Sequence, residues 1–453
     1  SKSLQDFAKK YPWLEKNVKD LYKTIRQSST HAGGVVIVTN PDVLSQLPLH
    51  NVKGQLQTAF TESGNKKDLE YFGFVKIDRL GLMTLRIQRK CLELIEKKHG
   101  ISKDKMWKSL QPEYIDFNDK KVYETVYHNR KNMTGVFQFS EPHARHFCES
   151  VAPITIEEIA SITSICRPGP LGLNIDKHYL DAKRGKTQPT YIHPILEDIL
   201  KSTYSYPVFQ EQIMFIGHKL GKLNLVDTDS FRKLIVKDKG SGQIDKKLQE
   251  IKNKFYIGCS ENGLMKDQID EVWSWARSHA SYSFNLSHAI SYAIISYQCS
   301  FLRTYYPFEW FCALLSFDDS SKIVNEIKEQ GFEVRGPDIN ISNVNWTIDY
   351  VNNCFRVGLR SIKGLGEKAV EKIMETRPYD SMRDFTLRCK ANKTAVESLA
   401  KCEAFGSIDF SSDFKSYKHI FNFLPTNKAK IKNVESYCEI LSKFVGDTKE
   451  WDI

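Results

Sequence analysis

Arg167-Pro168-Gly169-Pro170, Phe209-Gln210-Glu211-Gln212, Arg232-Lys233-Leu234-Ile235-Val236-Lys237 and Ser283-Phe284-Asn285-Leu286-Ser287-His288-Ala289 are the four blocks around which this chain is organised. Cations, amides and hydroxyls recur in them among apolar residues. Such a surface suits a polyphosphate and an aromatic base. Pro168 and Pro170 each lack a backbone donor, so the first block predicts a rigid turn that presents Arg167. A guanidinium pairs bidentately with phosphate, although a turn that serves packing alone is the other reading. Phe209–Leu220 reads as a helix that opens on Gln210. Asp227 or Thr228 is placed to cap the next helix, on which Lys233 and Lys237 are four apart and share a face. Residues 283–303 read as a buried helix with Asn285, His288, Tyr292 and Ser296 on one polar stripe. Such a stripe is costly unless something satisfies it, and a core histidine satisfied within the fold is the alternative for His288.

Upstream, Leu4, Phe7, Ala8, Tyr11 and Leu14 follow helical spacing within residues 1–30. His31-Ala32-Gly33-Gly34-Val35-Val36-Ile37-Val38 predicts a loop entering a buried strand. Its glycine pair permits close backbone approach. In Tyr71-Phe72-Gly73-Phe74-Val75-Lys76-Ile77-Asp78, alternation puts Phe72, Phe74, Lys76 and Asp78 on one strand face, and Val75 and Ile77 on the other. An isolated Lys-x-Asp reads first as a surface pair. Residues 84–98 read as an amphipathic helix. Gly135-Val136-Phe137-Gln138-Phe139 reads as a short buried strand or a helix start, and Ile154–Ile165 as helix. The basic stretch Lys177, His178, Lys183, Arg184 and Lys186 suits solvent or a phosphate backbone. The other acidic pairs, Asp116/Asp119 and Asp318/Asp319, are poorly placed to join Asp78. His143-x-x-His146 has no evident third ligand.

Downstream, Phe308–Phe317 reads as an apolar helix, Gly336-Pro337 as a boundary and Phe355–Leu359 as a strand. Ile362-Lys363-Gly364-Leu365-Gly366-Glu367-Lys368 is a helix-hairpin-helix pattern, with a plain helical hairpin as the alternative. Gly366 opens a helix whose free N–H groups can take a phosphate, with Lys363 and Lys368 adding charge. The tail after 406 is lysine-bearing and ends in an amphipathic helix.

The 453 residues carry a net charge of +10, which fits a nucleic-acid partner without requiring one. No apolar run is long enough to span a membrane, and the polar start gives no signal peptide. The ten cysteines form no C-x-x-C and read as reduced thiols of a cytoplasmic protein, bacterial or infected-host. Ser1 in first place is compatible with methionine removal, proteolysis or splicing.

The blocks, in this order and spacing, resemble the family C replicative DNA polymerases, the bacterial DNA polymerase III alpha subunits, from the first residues to about Gly406. The resemblance implies a mainly α fold with a small α+β palm portion of polymerase-beta-like nucleotidyltransferase type, helical fingers and a helix-hairpin-helix domain. It places the end of the thumb at 1–30, palm at 31–84, fingers at 85–335, the helix-hairpin-helix region at 336–406 and a helical tail at 407–453. It implies template-directed DNA synthesis by two-metal nucleotidyl transfer, with Mg2+ ions, dNTPs and primer-template DNA as cofactor and partners. A sliding clamp is a further partner it suggests, although the tail holds no clear clamp-binding pentapeptide. Asp78 corresponds to the family's third catalytic aspartate and metal ligand, with Lys76 beside it. Arg167, Gln210, Arg232, Lys233, Lys237, Asn285, Ser287, His288 and Tyr292 fall on nucleotide-binding blocks. His31, Gly33, Gly34, Lys363, Gly364, Gly366 and Lys368 fall on DNA-binding ones. Phe209 and Leu286 stand where the family often has tyrosine and lysine. The family's Asp-x-Asp pair is absent. One aspartate cannot hold two divalent ions, so the chain is expected to be a C-terminal portion of a split or processed polymerase, completed by a second polypeptide. A shortened enzyme of this kind suits a bacteriophage. The rival expectation is a non-catalytic primer-template DNA-binding module.

Overall fold

The computed structural model describes Lys9, Lys10, Tyr11, Trp13, Asn17, Asp20 and His31, then residues 33–38, 41–52, 54–60, 68–235, 246–280, 282–409, 411, 413–414, 416–427 and 430–443. Most of the helix expected within 1–30 lies outside the described residues, as does Lys237. The described residues are mainly helical, with three small sheets among them. It divides into two units, Ser1–Met83 and Thr84–Ile453.

In the first unit, β1 (Gly34–Ile37) and β4 (Val75–Asp78) form an antiparallel ribbon in which Gly34 faces Asp78, Val35 faces Ile77, Val36 faces Lys76 and Ile37 faces Val75. Between them in sequence, β2 (Leu49–Val52) and β3 (Gln55–Thr58) make a separate hairpin. Leu47, Leu69 and Phe74 form a small core, against which Val36, Val38 and Phe60 pack. The β-branched run at 35–38 predicts a buried strand, but Val35 and Ile37 are exposed. A ribbon of two strands has two faces, side chains alternate between them, and only the Val36 face meets the core. Gly33 is required: its carbonyl accepts from Arg79 N at 2.7 Å, and a Cβ there would run into the Arg79 carbonyl. Gly33→Ala is therefore expected to cost about 1–3 kcal/mol by overpacking. Gly81→Ala, where a Cβ meets open space, should change stability by less than about 0.5 kcal/mol. Thermal unfolding of the two variants checks the difference.

The second unit begins with α1 (Met83–His99), which buries Ile87, Cys91, Leu92 and Ile95, the stripe expected of 84–98. Ile159, Ala160 and Ile162 of α2 (Ile156–Ile165) share one core with Ala289, Ala293 and Tyr297 of α9 (Leu286–Tyr305). Short residues on both helices let the backbones approach. Two hydroxyls in this core find partners: Ser296 Oγ meets Tyr127 Oη at 3.0 Å and Tyr297 Oη donates to the Asp116 carbonyl at 2.7 Å. A second core joins Ile213 of α5 (Gln210–Phe215), Phe231 of α6 (Leu225–Ile235), Phe255 of α7 (Lys246–Glu261) and Trp273 of α8 (Lys266–Ala280). The large core also takes in α4 (Ile175–Lys183) and α10 (Pro307–Leu315), the latter almost wholly buried, and the short α3 (Pro168–Gly172) leads into α4.

A three-stranded sheet follows, with β7 (Cys354–Arg356) between parallel β5 (Glu333–Arg335) and antiparallel β6 (Thr347–Asp349). Phe355 packs back against Phe308, Phe311 and Phe332. A third core starts at Ile339 and gathers α11 (Glu367–Thr376), α12 (Met382–Cys389), α13 (Lys393–Lys401), α14 (Tyr417–Asn427) and α15 (Val434–Ser442). No described helix is long and apolar enough to cross a membrane.

Candidate functional site

Asp78 ends β4 opposite Gly34. Its Oδ1 lies 3.4 Å from Lys76 Nζ and 3.7 Å from His31 Nδ1, and Gly33 N donates to that same His31 nitrogen at 3.2 Å. A Cβ on Gly34 would stand 2.9 Å from His31 Nδ1 and 3.2 Å from Asp78 Oδ1. The glycine pair thus leaves room for the imidazole and the carboxylate to meet. The family resemblance assigns His31, Gly33 and Gly34 to DNA binding at the active site and Lys76 and Asp78 to catalysis; pairing of β1 with β4 makes them one cluster. Asp78 is 51% exposed, open to a further ligand. Among the described residues, no three His, Cys, Asp or Glu side chains come together as a metal site. One carboxylate already facing an ammonium does not fit a pair of magnesium ions.

In the second unit, Arg167 is the residue before α3, not part of a free turn. Pro168 occupies the first helical position, where no backbone donor is needed and the fixed φ favours the helix. The Arg167 guanidinium lies 3.8 Å from the Phe284 ring centroid. Its Nε is buried without a partner, and burial lowers its pKa from the usual value. The Nε donor is therefore left unmet, although the residue as a whole is only half-buried.

Phe284 is brought there by a short parallel bridge. Phe284 N donates to the Val208 carbonyl at 2.9 Å and Gln210 N donates to the Phe284 carbonyl at 2.8 Å. Gln210 Nε2 reaches the Ser283 carbonyl at 3.3 Å, and Glu211 Oε2 accepts from Leu286 N at 2.8 Å. The amide and carboxylate at the start of α5 therefore lash down the start of α9. Asn285 is the cap of α9, accepting from His288 N at 2.8 Å and from Ser287 Oγ at 2.7 Å. It is not on the helical stripe expected for it, because its extended φ/ψ puts it ahead of the first turn. The stripe itself splits by depth. Ser296 is buried, whereas His288 is exposed and stacks at 4.0 Å on half-buried Tyr292. His288 is thus not a core histidine. An open recess of about 610 Å³ is lined by Phe284, Asn285, Ser287, His288 and Ser291.

Sequence reading missed Phe137, whose ring lies 5.0 Å from Tyr292 and continues the row Phe284–His288–Tyr292. Residues 135–139 are turns rather than strand or helix start, with Gln138 at φ 70°. In the sequence, Phe137 belongs to a block that resembles the family's Val-Phe-Gln block at the entry to the fingers, but nothing local ties it to Tyr292.

On α6, one carboxylate holds both cations: Asp229 accepts from Arg232 Nη2 at 3.0 Å and from Lys233 Nζ at 2.6 Å. These bonds, that to Lys233 foremost, lower the Asp229 pKa. Asn224, not Asp227 or Thr228, caps the helix through Asp227 N at 2.8 Å. Asp227 instead binds Lys254. Much of the basic stretch after 176 is also engaged internally, Lys183 with Glu158, Arg184 with the Ser150 carbonyl and Lys186 with Asp181. His143 and His146 face Asp176 and Arg130, respectively.

In the helix-hairpin-helix pattern, Ile362 and Leu365 are buried and set the turn. Gly364 takes φ +91°, open to glycine at no steric cost. Gly366 precedes α11 and no side chain caps the first amides of that helix. Lys363, Gly364, Gly366 and Lys368 are all exposed, and neither lysine has an ion-pair partner among the described residues.

Three family models match the chain: the bacterial DNA polymerase III alpha NTPase domain over residues 1–81, the bacterial DNA polymerase III alpha subunit finger domain over 84–263, and a helix-hairpin-helix motif over 331–413. The chain is 35% identical over 393 residues to the DNA polymerase III subunit alpha of Aquifex aeolicus, covering 84% of this chain and 32% of that one. Against the subunit of Campylobacter jejuni it is 30% identical over 431 residues, 92% of this chain and 33% of the relative. Against that of Chlamydia pneumoniae the identity is 30% over 403 residues, covering 86% and 31%. The chain thus spans about a third of the length of the curated relatives it matches.

Proposed function

The chain belongs to the family of bacterial DNA polymerase III alpha subunits, and from that premise we propose that it supplies the fingers and part of the palm for template-directed DNA synthesis. A second polypeptide supplies the remaining catalytic aspartates. The domains follow the family: end of the thumb at 1–30, palm at 31–84, fingers at 85–335, helix-hairpin-helix at 336–406 and tail at 407–453. Incoming dNTP occupies the recess beside His288. Arg167 takes phosphate charge, and Ser287, His288 and Tyr292 flank base and sugar. Gln210 and Asn285 act by fixing the α5–α9 junction. Arg232 and Lys233 exchange Asp229 for phosphate, and Lys237, outside the described residues, is proposed as a further nucleotide-binding cation. His31, Gly33, Gly34 and Lys76 position Asp78 and the DNA strand end.

The observation that carries this reading is half-buried Arg167, its Nε unpartnered, over the ring of Phe284, which also lines the open recess. Asp78 alone does not fit a magnesium pair, so the Mg2+ ions that such chemistry needs are shared with carboxylates from outside the chain. The test is primer extension by the chain alone, and by the chain with the polypeptide from the same genome that carries an Asp-x-Asp pair. Extension only by the pair supports the reading.

A non-catalytic DNA-binding module is the second reading, favoured by the uncapped, lysine-flanked start of α11. Under both readings the Lys363→Ala/Lys368→Ala variant should bind duplex DNA more weakly. Its log Kd against log salt slope should be shallower by about 0.9 for each phosphate that is no longer neutralised. An unchanged slope in a salt titration would remove this turn from the duplex.

A further inference from the structure

Residues 103–121 of the second unit carry exposed rings that have no part in the site described above. Ser102 caps the short helix Lys103–Ser109 by accepting from Lys105 N at 3.2 Å, and Met106 and Leu110 are buried beneath it. The stretch is tied to the C-terminal half of α9. Gln298 Nε2 donates to the Leu110 carbonyl at 2.8 Å, and Tyr305 Oη donates to Asp119 Oδ2 at 2.7 Å. On this rigid support Trp107, Tyr114 and Tyr305 are 42%, 60% and 39% exposed. Lys108 Nζ lies 5.2 Å from the Tyr114 ring centroid, and Lys121 Nζ lies 4.7 Å from that of Tyr305. The five lysines of the stretch are exposed, and none has an ion-pair partner among the described residues. Of its four acids, Asp116 and Asp119 accept hydrogen bonds within the stretch, so Asp104 and Glu113 are left to oppose five ammonium groups. Gln298 follows His288 by ten residues, about 15 Å along a helix, which separates this surface from the recess.

We propose that this surface binds single-stranded DNA, with unpaired bases stacked on the exposed rings and phosphates met by the lysines among them. Rings held on a rigid support lose little freedom when a base stacks on them, and such stacks supply much of the affinity for single strands. Two observations select this partner. Protein interfaces are enriched in Trp and Tyr but depleted of Lys, whereas here Tyr114 and Tyr305 each have a lysine over the ring and Lys103 stands one helical turn before Trp107. A duplex, in turn, keeps its bases stacked on one another and has no ring face to offer sideways. The family match to DNA polymerase subunits selects DNA over RNA. This surface is additional to the dNTP and duplex sites proposed above and needs no second polypeptide.

The experiment titrates the chain alone with a fluorescein-labelled oligothymidylate, followed by anisotropy, with excess unlabelled blunt duplex present to occupy the helix-hairpin-helix. Trp107→Ala/Tyr114→Ala should bind at least about tenfold more weakly, because two base stacks are lost. Trp107→Phe/Tyr114→Phe keeps both rings and should stay within about threefold of the wild type. Lys103→Ala/Lys105→Ala/Lys108→Ala leaves the buried anchors in place. It should bind more weakly, with a log Kd against log salt slope shallower by about 0.7 for each phosphate no longer neutralised. Heparin, a polyanion without bases, should bind the wild type and the alanine ring variant equally. Circular dichroism checks each fold, and if the alanine ring variant unfolds, the phenylalanine and lysine variants decide. An alanine ring variant that binds oligothymidylate as the wild type does would overturn the proposal. So would a wild-type chain that binds none under duplex competition. A lysine variant that loses heparin and oligothymidylate alike, while the ring variant loses neither, would reassign the surface to an acidic protein segment. Oligouridylate bound more tightly than oligothymidylate would reassign it to RNA, and either result would end the single-stranded DNA assignment.

Discussion

Asp78→Ala should reduce primer extension by the reconstituted pair by more than about a hundredfold, because even the loss of a residue that merely supports a metal site costs about 10–100-fold. Duplex binding should stay within about threefold, since phosphate contacts dominate that affinity. The carboxylate is half exposed and faces Lys76 and His31 across 3.4 and 3.7 Å, so its removal should not unfold the ribbon. Surface substitutions of this kind usually change stability by less than about 0.5 kcal/mol. Single-turnover extension and a filter-binding titration on the same preparation separate the two quantities. Intact extension by Asp78→Ala would place catalysis elsewhere and favour the non-catalytic DNA-binding module.

Arg167→Ala should raise the KM for dNTP by about ten- to a hundredfold, the value of a hydrogen bond to a charged group, with a much smaller loss of DNA affinity. The guanidinium stacks on Phe284 and keeps a buried, unpartnered Nε, an arrangement that costs stability unless a ligand anion meets it. The free protein should therefore be no less stable without it, and thermal unfolding of Arg167→Ala should show little or no decrease. Arg167→Lys keeps the charge but not the planar stack, and should recover only part of the KM. Equal losses in KM and DNA affinity, accompanied by a lower unfolding temperature, would make Arg167 a packing residue.

The sequence by itself determined the helical character of the second unit, the stripe of α1, the helix-hairpin-helix turn and the family. Those features depend on local spacing, and on glycine and proline placed where backbone geometry requires them. Pro168 and Pro170 show where local reading stops. They forbid helix interior, which is correct, but they permit a helix start, and only the packing beyond the turn decides between turn and start. The tertiary structure alone decided that His31 meets Asp78, since β1 and β4 pair across some forty intervening residues. It alone decided that Phe137 joins the ring row of α9, that Asn285 caps rather than lines that helix, and that Asp229 occupies Arg232 and Lys233. It alone left one side of the ribbon bare, although the run Val35-Val36-Ile37 reads as buried throughout. The physical reason is common to all of these. Periodicity tells which side chains share a face, but what covers that face, and which distant group satisfies a charge, is set by contacts between segments far apart in the chain.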